Sequence, residues 1–414
     1  MTKFLSFFIF SFLFIQCSSS PARFNKTRFT KTEESSLVRV LLDEDLGKKT
    51  VSFDIPVLLK DGQEKIKEIA PGETVSFTAE QGLVALKAGR NKYSLKLCDI
   101  EPESQEEFLT YNGKSYKGSF SILNAKGKLL LVNSLGLEDY LKGVLYSEMG
   151  VASMREDDIE ALKAFAVCAR NYALMKLRQT GRPFDLYSDV RDQVYGGYYP
   201  SRTLISRAVD ETAGLVLKYN GELATVFYSS SCGGRTENSD NVFRQKSIPY
   251  LKGVNEGEEA FCRIAPGYNW EESYTDKEIV NRLISAGYVK KGEYTLKDIV
   301  IKSRYDSGRA NELQISLEDS ESEPLDVIII GNKIRYVIRS KTSGNLLKST
   351  MFDLSPVYDG GRLLKVTIKG RGNGHGVGLC QWGAIGQSRK GRKFEDILSF
   401  YFPGTVLDEM NQIR

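Results

Sequence analysis

The sequence is poor in the side chains that most often bind metals or carry protons. It has a single histidine, His375, in 414 residues, and no two cysteines form a CxxC pair. One histidine excludes a Cys2His2 site and any metal centre built from several histidines. The chain also lacks a GxxxxGK[ST] segment, which excludes a P-loop.

A strong excess of one charge is absent as well. The chain has 57 Lys and Arg residues against 53 Asp and Glu, a net charge of +4, and no block of one sign. Proteins that bind nucleic acids usually carry a concentrated basic surface. We therefore predict no nucleic-acid partner.

Long hydrophobic runs are missing too. The most apolar segment, Phe4 to Ile15, is too short to span a membrane and is typical of a signal peptide. Cys17 follows it and resembles the acylated cysteine of bacterial lipoproteins, although Gln16 stands where a small residue is usual. We predict a lipoprotein signal peptide over 1–16, lipidation of Cys17, and an exported protein of the periplasm or cell envelope, held to a membrane by a lipid anchor. The alternative is an ordinary secretory signal, with an incidental cysteine.

The composition is that of a folded protein. Hydrophobic residues make up 41% of the sequence, which is enough for a sizeable core. The patterns predict an α+β fold, with a β-rich N-terminal part followed by a mixed domain that has a helical pair and many short strands. The predicted segments are a flexible tether (17–35), a β-rich N-terminal domain (36–112), a catalytic domain (113–407) and a C-terminal tail (408–414).

Helical spacing is clearest in two neighbouring segments. Apolar residues recur at helical intervals in "LEDYLKGVLYSEMG" (137–150), where the final glycine is a natural stop. The segment 155–181 has an acidic start, a basic end and an apolar face that includes Cys168, so we predict a core thiol there. Further helices are predicted after a cap at Thr275 and over 391–402.

Glu148 is a candidate general acid. It is the last carboxylate of the apolar helix over 137–150. Apolar surroundings raise the pKa of a carboxyl group, which suits proton donation near neutral pH. The alternative is a surface glutamate at a helix end.

A second candidate is the hydroxyl-rich segment "FYSSSCGGRTENSDNVF", residues 227–243. Cys232 could act as a nucleophile with His375 as its base. It could equally form a disulfide with Cys262, and export to an oxidising compartment favours the disulfide.

The third candidate is the glycine-rich segment "GRGNGHGVGLCQWGA", residues 370–384. It lacks the βαβ context of a dinucleotide loop. Two interpretations stay open: a tight internal turn, or a cleft wall where His375, Gln381 and Trp382 contact a polar ligand such as a sugar.

These segments occur together, and in this order, in one family. The chain resembles the stage II sporulation protein D family, which includes the amidase-enhancer proteins of bacterial cell walls. The resemblance covers about residues 113–407, with a weaker part from about 36. Its motifs are "LEDYLKGVLYSEMG", "ALKAFAVCARNYAL", "DQVYGG", "FYSSSCGGRTENSDNVF", "PYLKGV", "SGRA", "STMFDL", "GRGNGHGVGLCQWGA" and "ILSFYFPGTVL".

The resemblance implies a lytic transglycosylase. Such an enzyme cuts peptidoglycan glycan strands, particularly those stripped of peptides, between N-acetylmuramic acid and N-acetylglucosamine and leaves 1,6-anhydro ends. The family's catalytic glutamate falls on Glu148, and His375 is expected to position substrate or this glutamate without carrying the proton. The substrate-binding residues predicted beside it are Gln193, Tyr195, Ser231, Arg235, His375 and Gln381.

The sequence departs from the family at two cysteines, Cys380 where serine is common and Cys168 where alanine is common. Some relatives bind zinc through cysteines, and Cys232 and Cys262 are present here. Without a second histidine to support such a site, no cofactor is predicted.

Two other functions stay open. The chief alternative is a non-catalytic wall protein that holds glycan strands and enhances an N-acetylmuramoyl-L-alanine amidase, its partner. A thiol hydrolase that uses Cys232 and His375 comes third.

Overall fold

The computed structural model describes residues 37–104, 106–150, 154–177, 181–199 and 203–410. The predicted signal peptide, Cys17 and the tether lie outside the described residues. No helix within these ranges is long and apolar enough to cross a membrane.

Helices and strands alternate irregularly along the described chain, as predicted for an α+β fold. The helices are α1 (Leu137–Met149), α2 (Ile159–Leu177), α3 (Thr203–Asp210), α4 (Ser239–Phe243), α5 (Asp276–Ser285), α6 (Lys333–Val337), α7 (Gln381–Ser388) and α8 (Phe394–Tyr401). The first strands are β1 (Leu37–Asp43), β2 (Lys49–Ser52), β3 (Val57–Asp61), β4 (Glu64–Ile69), β5 (Thr74–Glu80), β6 (Leu83–Ala88), β7 (Asn91–Leu95), β8 (Leu97–Pro102), β9 (Leu109–Tyr111), β10 (Lys114–Tyr116), β11 (Ser119–Ala125) and β12 (Lys128–Gly136). The later strands are β13 (Leu186–Tyr187), β14 (Leu215–Tyr219), β15 (Glu222–Leu223), β16 (Tyr228–Ser229), β17 (Asn269–Thr275), β18 (Tyr294–Arg304), β19 (Ala310–Asp319), β20 (Pro324–Ile330), β21 (Phe352–Asp359), β22 (Arg362–Arg371), β23 (Leu379–Cys380) and β24 (Val406–Glu409).

A seven-stranded sheet, in the order β13-β1-β12-β11-β8-β3-β4, supports the helical pair. Strands β11 and β12 form a hairpin, with Lys126 and Gly127 at positive φ in its turn. Strand β1 pairs antiparallel with β12, which brings Leu37 opposite Gly136. The boundary predicted after residue 112 therefore falls within one continuous hydrogen-bonded sheet.

Helices α1 and α2 form as the apolar spacing predicts. The α1 face that includes Tyr140, Leu141 and Val144 is buried, and Gly150 ends the helix in the left-handed conformation. Arg170 of α2 is fully buried, and its Nη2 lies 2.6 Å from Oε2 of Glu138 at the start of α1. This ion pair and the shared apolar face fix the two helices together.

A second apolar core lies between residues 270 and 368. It is formed by the sheets β17-β22-β21 and β18-β19-β20 together with α5. The predicted cap is confirmed: Thr275 Oγ1 accepts from the Glu278 N–H at 3.3 Å, and Glu278 Oε2 accepts from the Thr275 N–H at 2.9 Å. The segment predicted as one domain over 113–407 thus contributes to two separate cores.

The glycine-rich segment crosses closely against residues 227–233. Its strand β23 pairs in parallel with β16. A Cβ on Gly378 would lie 2.1 Å from the Phe227 carbonyl oxygen, and one on Gly372 would lie 2.7 Å from that of Ser231. Only glycine allows this approach, since both positions also have positive φ. The segment then enters α7, a helix that the sequence analysis did not predict.

Candidate active site

Glu148 lies in the last turn of α1 and is half-buried. Burial raises the pKa of its carboxyl group, although three donors favour the charged form: the Val194 N–H, the Tyr228 hydroxyl and the Gln381 amide. The Val194 N–H donates to Oε1 at 2.8 Å. The site therefore holds a carboxyl group that is fixed in position and retains its proton to higher pH than an exposed glutamate.

Tyr228 is the contact of Glu148 that the sequence analysis missed. Its hydroxyl donates to Glu148 Oε1 at 3.4 Å and accepts from Gln193 Nε2 at 3.2 Å. The Tyr140 hydroxyl in turn donates to Gln193 Oε1 at 3.2 Å. A chain of hydrogen bonds thus runs from inside the core to the carboxyl group.

Gln193 is fully buried within that chain. Its side chain also contacts the Ala169 carbonyl oxygen, at 3.5 Å, so both ends of the amide are used inside the protein. Its hydrogen bond to the Tyr228 hydroxyl orients that residue. A contact of Gln193 with substrate stays a prediction.

Tyr195 is likewise buried inside the protein. Its side chain is 3% exposed, and its hydroxyl donates to Asn133 Oδ1 at 2.9 Å. Its ring lies so close to α1 that a Cβ on Gly143 would be 2.5 Å from a ring carbon. In this position Tyr195 supports the helix that carries Glu148, and its predicted contact with substrate stays a prediction.

Gln381 lies beside Glu148, so both residues can belong to one site. It is the first residue of α7, and its amide lowers the pKa of the Glu148 carboxyl group. The contact is poorly aligned, because Gln381 Nε2 is buried without a well-formed hydrogen bond to any described residue. The adjacent Trp382 is fixed by its backbone N–H, which donates to the Ser230 carbonyl oxygen at 3.0 Å. Residues 227–230 and the start of α7 thus form one wall against Glu148.

His375 is held within this wall as a neutral ring. Burial, with contributions from Arg335 and Arg309, lowers its pKa to about 3. Its Nδ1 accepts from the Val377 N–H at 3.0 Å, and its ring meets Phe243 edge-on at 5.3 Å between centroids. A histidine that stays neutral above pH 3 is a poor proton acceptor, in keeping with the expectation that it does not carry the proton.

The structure does not bring Ser231 or Arg235 to Glu148. The side chain of Ser231 is 1% exposed, and its backbone pairs with Asn373. Arg235 donates from Nη1 to the Asp306 carbonyl oxygen at 2.6 Å. These contacts fix the loop that follows β16, and the roles of both residues in binding substrate stay predictions.

The predicted disulfide is absent. The sulfur atoms of Cys232 and Cys262 lie 3.7 Å apart, and all five cysteines within the described ranges are free thiols. Cys232 instead contacts Glu256, at 3.2 Å between Sγ and Oε1. Its burial raises the pKa of the thiol well above its usual value, which is the reverse of what a cysteine nucleophile needs.

Two residues that the sequence analysis did not connect complete a polar cluster at this point. Glu256 and Cys380 bring a carboxylate and a third sulfur to Cys232 and Cys262, and the four ligand atoms lie within 4.8 Å of one another. All four residues are buried. These residue types together could hold a metal ion.

Comparisons with known proteins match both halves of the chain. A model of the stage II sporulation protein family matches residues 125–219, which contain Glu148, and a domain of unknown function matches residues 238–378. The chain is 32% identical over 314 residues to an uncharacterized protein of Brachyspira hyodysenteriae, across 75% of this chain and 77% of that protein.

Two relatives have descriptive names. The amidase enhancer of Bacillus subtilis is 31% identical over 376 residues, which cover 80% of this chain but 50% of the relative. Stage II sporulation protein D of Bacillus subtilis is 26% identical over 295 residues, which cover 67% of this chain and 76% of the relative. The chain thus spans half the length of the amidase enhancer and about three quarters of the sporulation protein.

Proposed function

Because the chain belongs to the family of stage II sporulation protein D and the amidase enhancer, we propose that it is a lytic transglycosylase of bacterial peptidoglycan. Glu148 is its general acid and general base. The observation that supports this most directly is the half-buried carboxyl group at the end of α1, with a raised pKa and a fixed Oε1. The substrate is the glycan strand, preferentially without stem peptides.

A single carboxyl group fits this reaction. Most glycoside hydrolases use two, one as an acid and one as a base or nucleophile. Burial shifts the pKa of Glu148, and so do three groups: a backbone amide, a tyrosine hydroxyl and a glutamine amide. None of these three groups is a carboxylate. A substrate that carries its own nucleophile needs no second carboxylate.

The proposed step balances with Glu148 alone. The protonated carboxyl group donates its proton to the glycosidic oxygen as the bond from that oxygen to C1 of N-acetylmuramic acid breaks. The C6 hydroxyl oxygen of the same sugar forms a bond to C1, and its proton passes to the Glu148 carboxylate. The 1,6-anhydro ring is closed, no water is added and the acid is restored.

The hydrogen bonds also distinguish the two carboxyl oxygens of Glu148. The Val194 N–H and the Tyr228 hydroxyl both donate to Oε1 of Glu148. The proton therefore resides on Oε2, which is oriented by the fixed Oε1. As the carboxylate forms, both donors stabilise the charge on it.

The second candidate function is a glycan-binding protein that enhances a cell-wall amidase. The identity of 31% to the amidase enhancer favours it. The same cleft would hold the strand, and the amidase would supply the hydrolysis. In either case we propose an exported protein of the cell envelope, anchored through Cys17, with peptidoglycan as its substrate or ligand.

The test uses protein that lacks residues 1–17, incubated with glycan strands with and without stem peptides. Mass spectrometry detects 1,6-anhydromuramic ends. We expect them from the wild type and from Glu395→Gln, an exposed glutamate of α8, but not from Glu148→Gln.

Two other outcomes would change the conclusion. Reducing ends would mean that water is the acceptor, and a second carboxylate would be needed. Intact strands that co-sediment with folded protein, together with faster cleavage by an added amidase, would favour the second candidate function.

A further inference from the structure

We propose that Cys232, Cys262, Cys380 and Glu256 bind a zinc ion, which joins three segments of the wall beside Glu148. This site takes no part in the proposed reaction and does not depend on that reaction. The four residues are called the thiol–carboxylate cluster below.

The spacing of the cluster is that of a tetrahedral zinc site. The sulfur atoms of Cys232 and Cys262 are 3.7 Å apart. A disulfide requires about 2.05 Å, whereas two sulfurs on one tetrahedral zinc, at about 2.3 Å each, lie about 3.8 Å apart. With all four ligand atoms within 4.8 Å of one another, one ion can reach every one of them.

The surroundings of the cluster include a buried positive charge. Arg309 is 1% exposed and donates from Nη2 to the Cys232 carbonyl oxygen at 2.6 Å. Its Nε and Nη1 are buried without a hydrogen-bond partner among the described residues. A buried cation that is left partly unpaired indicates negative charge close by, and a zinc-bound set of three thiolates and one carboxylate supplies it.

Two of the four ligands, Cys380 and Glu256, are also oriented by further contacts, as metal ligands usually are. The Cys232 N–H and the Gly383 N–H both point at Cys380 Sγ, at 3.1 and 3.3 Å. The Tyr401 hydroxyl donates to Glu256 Oε1 at 2.7 Å. N–H groups directed at sulfur stabilise the charged thiolate.

The remaining carboxylate oxygen and the packing around it complete this shell. Glu256 Oε2 accepts from the Cys262 N–H at 2.9 Å. A Cβ on Gly383 would lie 2.2 Å from Glu256 Oε1, so glycine is required at that position of α7. Protein groups alone therefore fix both oxygens of the Glu256 carboxylate.

The position of the cluster indicates a structural role. Cys232 follows the segment that carries Tyr228, Cys380 directly precedes Gln381, and Cys262 lies in the 3-10 turn Phe261–Ile264. Four protein ligands close the coordination sphere, and all are buried, whereas catalytic zinc keeps an open position. Zinc would thus hold together the strand and the helix that contact Glu148.

Metal analysis tests the proposal. Full-length protein is produced with zinc, desalted into metal-free buffer and measured by inductively coupled plasma mass spectrometry. We expect about one zinc per chain in the wild type, and the same in Cys168→Ala, which removes a buried thiol of α2 outside the cluster. Cys262→Ser and Glu256→Gln should lose most of the metal.

A second readout does not need a variant to fold. Cobalt(II) added to metal-depleted wild-type protein should give the intense sulfur-to-cobalt charge-transfer absorption of a thiolate site, which zinc then abolishes. Full zinc in both cluster variants would overturn the proposal, as would a Cys232–Cys262 disulfide in peptide mapping or protein that binds neither metal. Zinc content is independent of glycan cleavage, so this result and that of the anhydro-end assay are read separately.

Discussion

Two glutamates, the half-buried Glu148 beside the first core and the buried Glu272 in the second, behave in opposite ways. Burial raises the pKa of Glu148, and its donors compensate only in part. Burial also raises the pKa of Glu272 in the second core, but four donors lower it below the usual value: the Ser340 hydroxyl, the Lys341 N–H at 2.6 Å, the Tyr274 hydroxyl at 3.0 Å and the Thr342 N–H.

The difference shows that hydrogen bonding, rather than burial alone, decides the state of each carboxyl group. Glu272 is a charged anchor that joins β17 to the segment around Ser340. Glu148 has too few donors to offset its burial. Its charged form therefore destabilises the fold, and its carboxyl group keeps its proton to higher pH. The following predictions test this contrast, beginning with the largest effect.

Glu148→Gln should lower the rate of anhydro-product formation by about 10²–10⁴-fold, the usual contribution of a general acid–base group. Glu272→Gln should leave the rate within about twofold, because its contacts serve the other core. Rates on peptide-free strands, measured by mass spectrometry, check both. Equal losses of rate in the two variants would contradict the claim that Glu148, and not Glu272, is the acid of the reaction.

Stability should change in the reverse order. Glu272→Gln should lower the free energy of unfolding at pH 7 by about 1–3 kcal/mol, since it leaves buried donors unpaired. Glu148→Gln should be as stable as the wild type or more stable, because a neutral amide replaces a poorly solvated carboxylate. Urea unfolding at constant pH measures both values, and a marked loss in Glu148→Gln would contradict the interpretation.

The pH dependence of these stability differences follows from the two shifts. The folded pKa of Glu272 lies below 4.5, so its contribution is present above pH 4.5 and is lost as the pH falls through that lower value. The folded pKa of Glu148 lies above 4.5, so its charge destabilises the fold increasingly as the pH rises through that value.

Denaturation curves of the wild type and the two variants between pH 3 and pH 8 should show both trends. The advantage of the wild type over Glu272→Gln should shrink in acid. The advantage of Glu148→Gln over the wild type should grow towards neutral pH. Two parallel curves would mean that neither carboxyl group is shifted.

The smallest expected effect is a change in the pH profile of Tyr228→Phe. The variant removes one donor to the Glu148 carboxylate, so the pKa of the carboxyl group rises further. The alkaline limb of kcat/KM should then move to higher pH, by less than about one unit. Tyr172→Phe is the control, because the Tyr172 hydroxyl donates to Asp192 and not to Glu148.

Local features were predictable from the sequence because neighbouring residues determine them. The left-handed Gly150 ends α1, and the Thr275 capping box starts α5. The candidate acid was found for the same reason, since its apolar surroundings are visible in α1 itself. The α+β class followed from the sum of such signals.

The rest of the site depends on pairings that no local pattern records. Tyr228 reaches Glu148 across 80 residues, and Cys232 reaches Cys380 across 148. Helix α7 was missed because Gly383 and Gly386 are poor helix formers, and the structure requires glycine there for close packing. Gln193 and Tyr195 were predicted to bind substrate from the resemblance, and the sequence does not show that both side chains are buried behind Glu148.

The pairing of β1 with β12 has a mechanical consequence. Leu37 of β1 lies opposite Gly136 of β12, and α1 begins at the next residue, Leu137. Force applied to β1 is therefore distributed over the hydrogen bonds of an interior strand flanked by β12 and β13. Glu148 lies about 17 Å further along α1 from Leu137, at 1.5 Å per residue, so the helix keeps it at a fixed distance from β1.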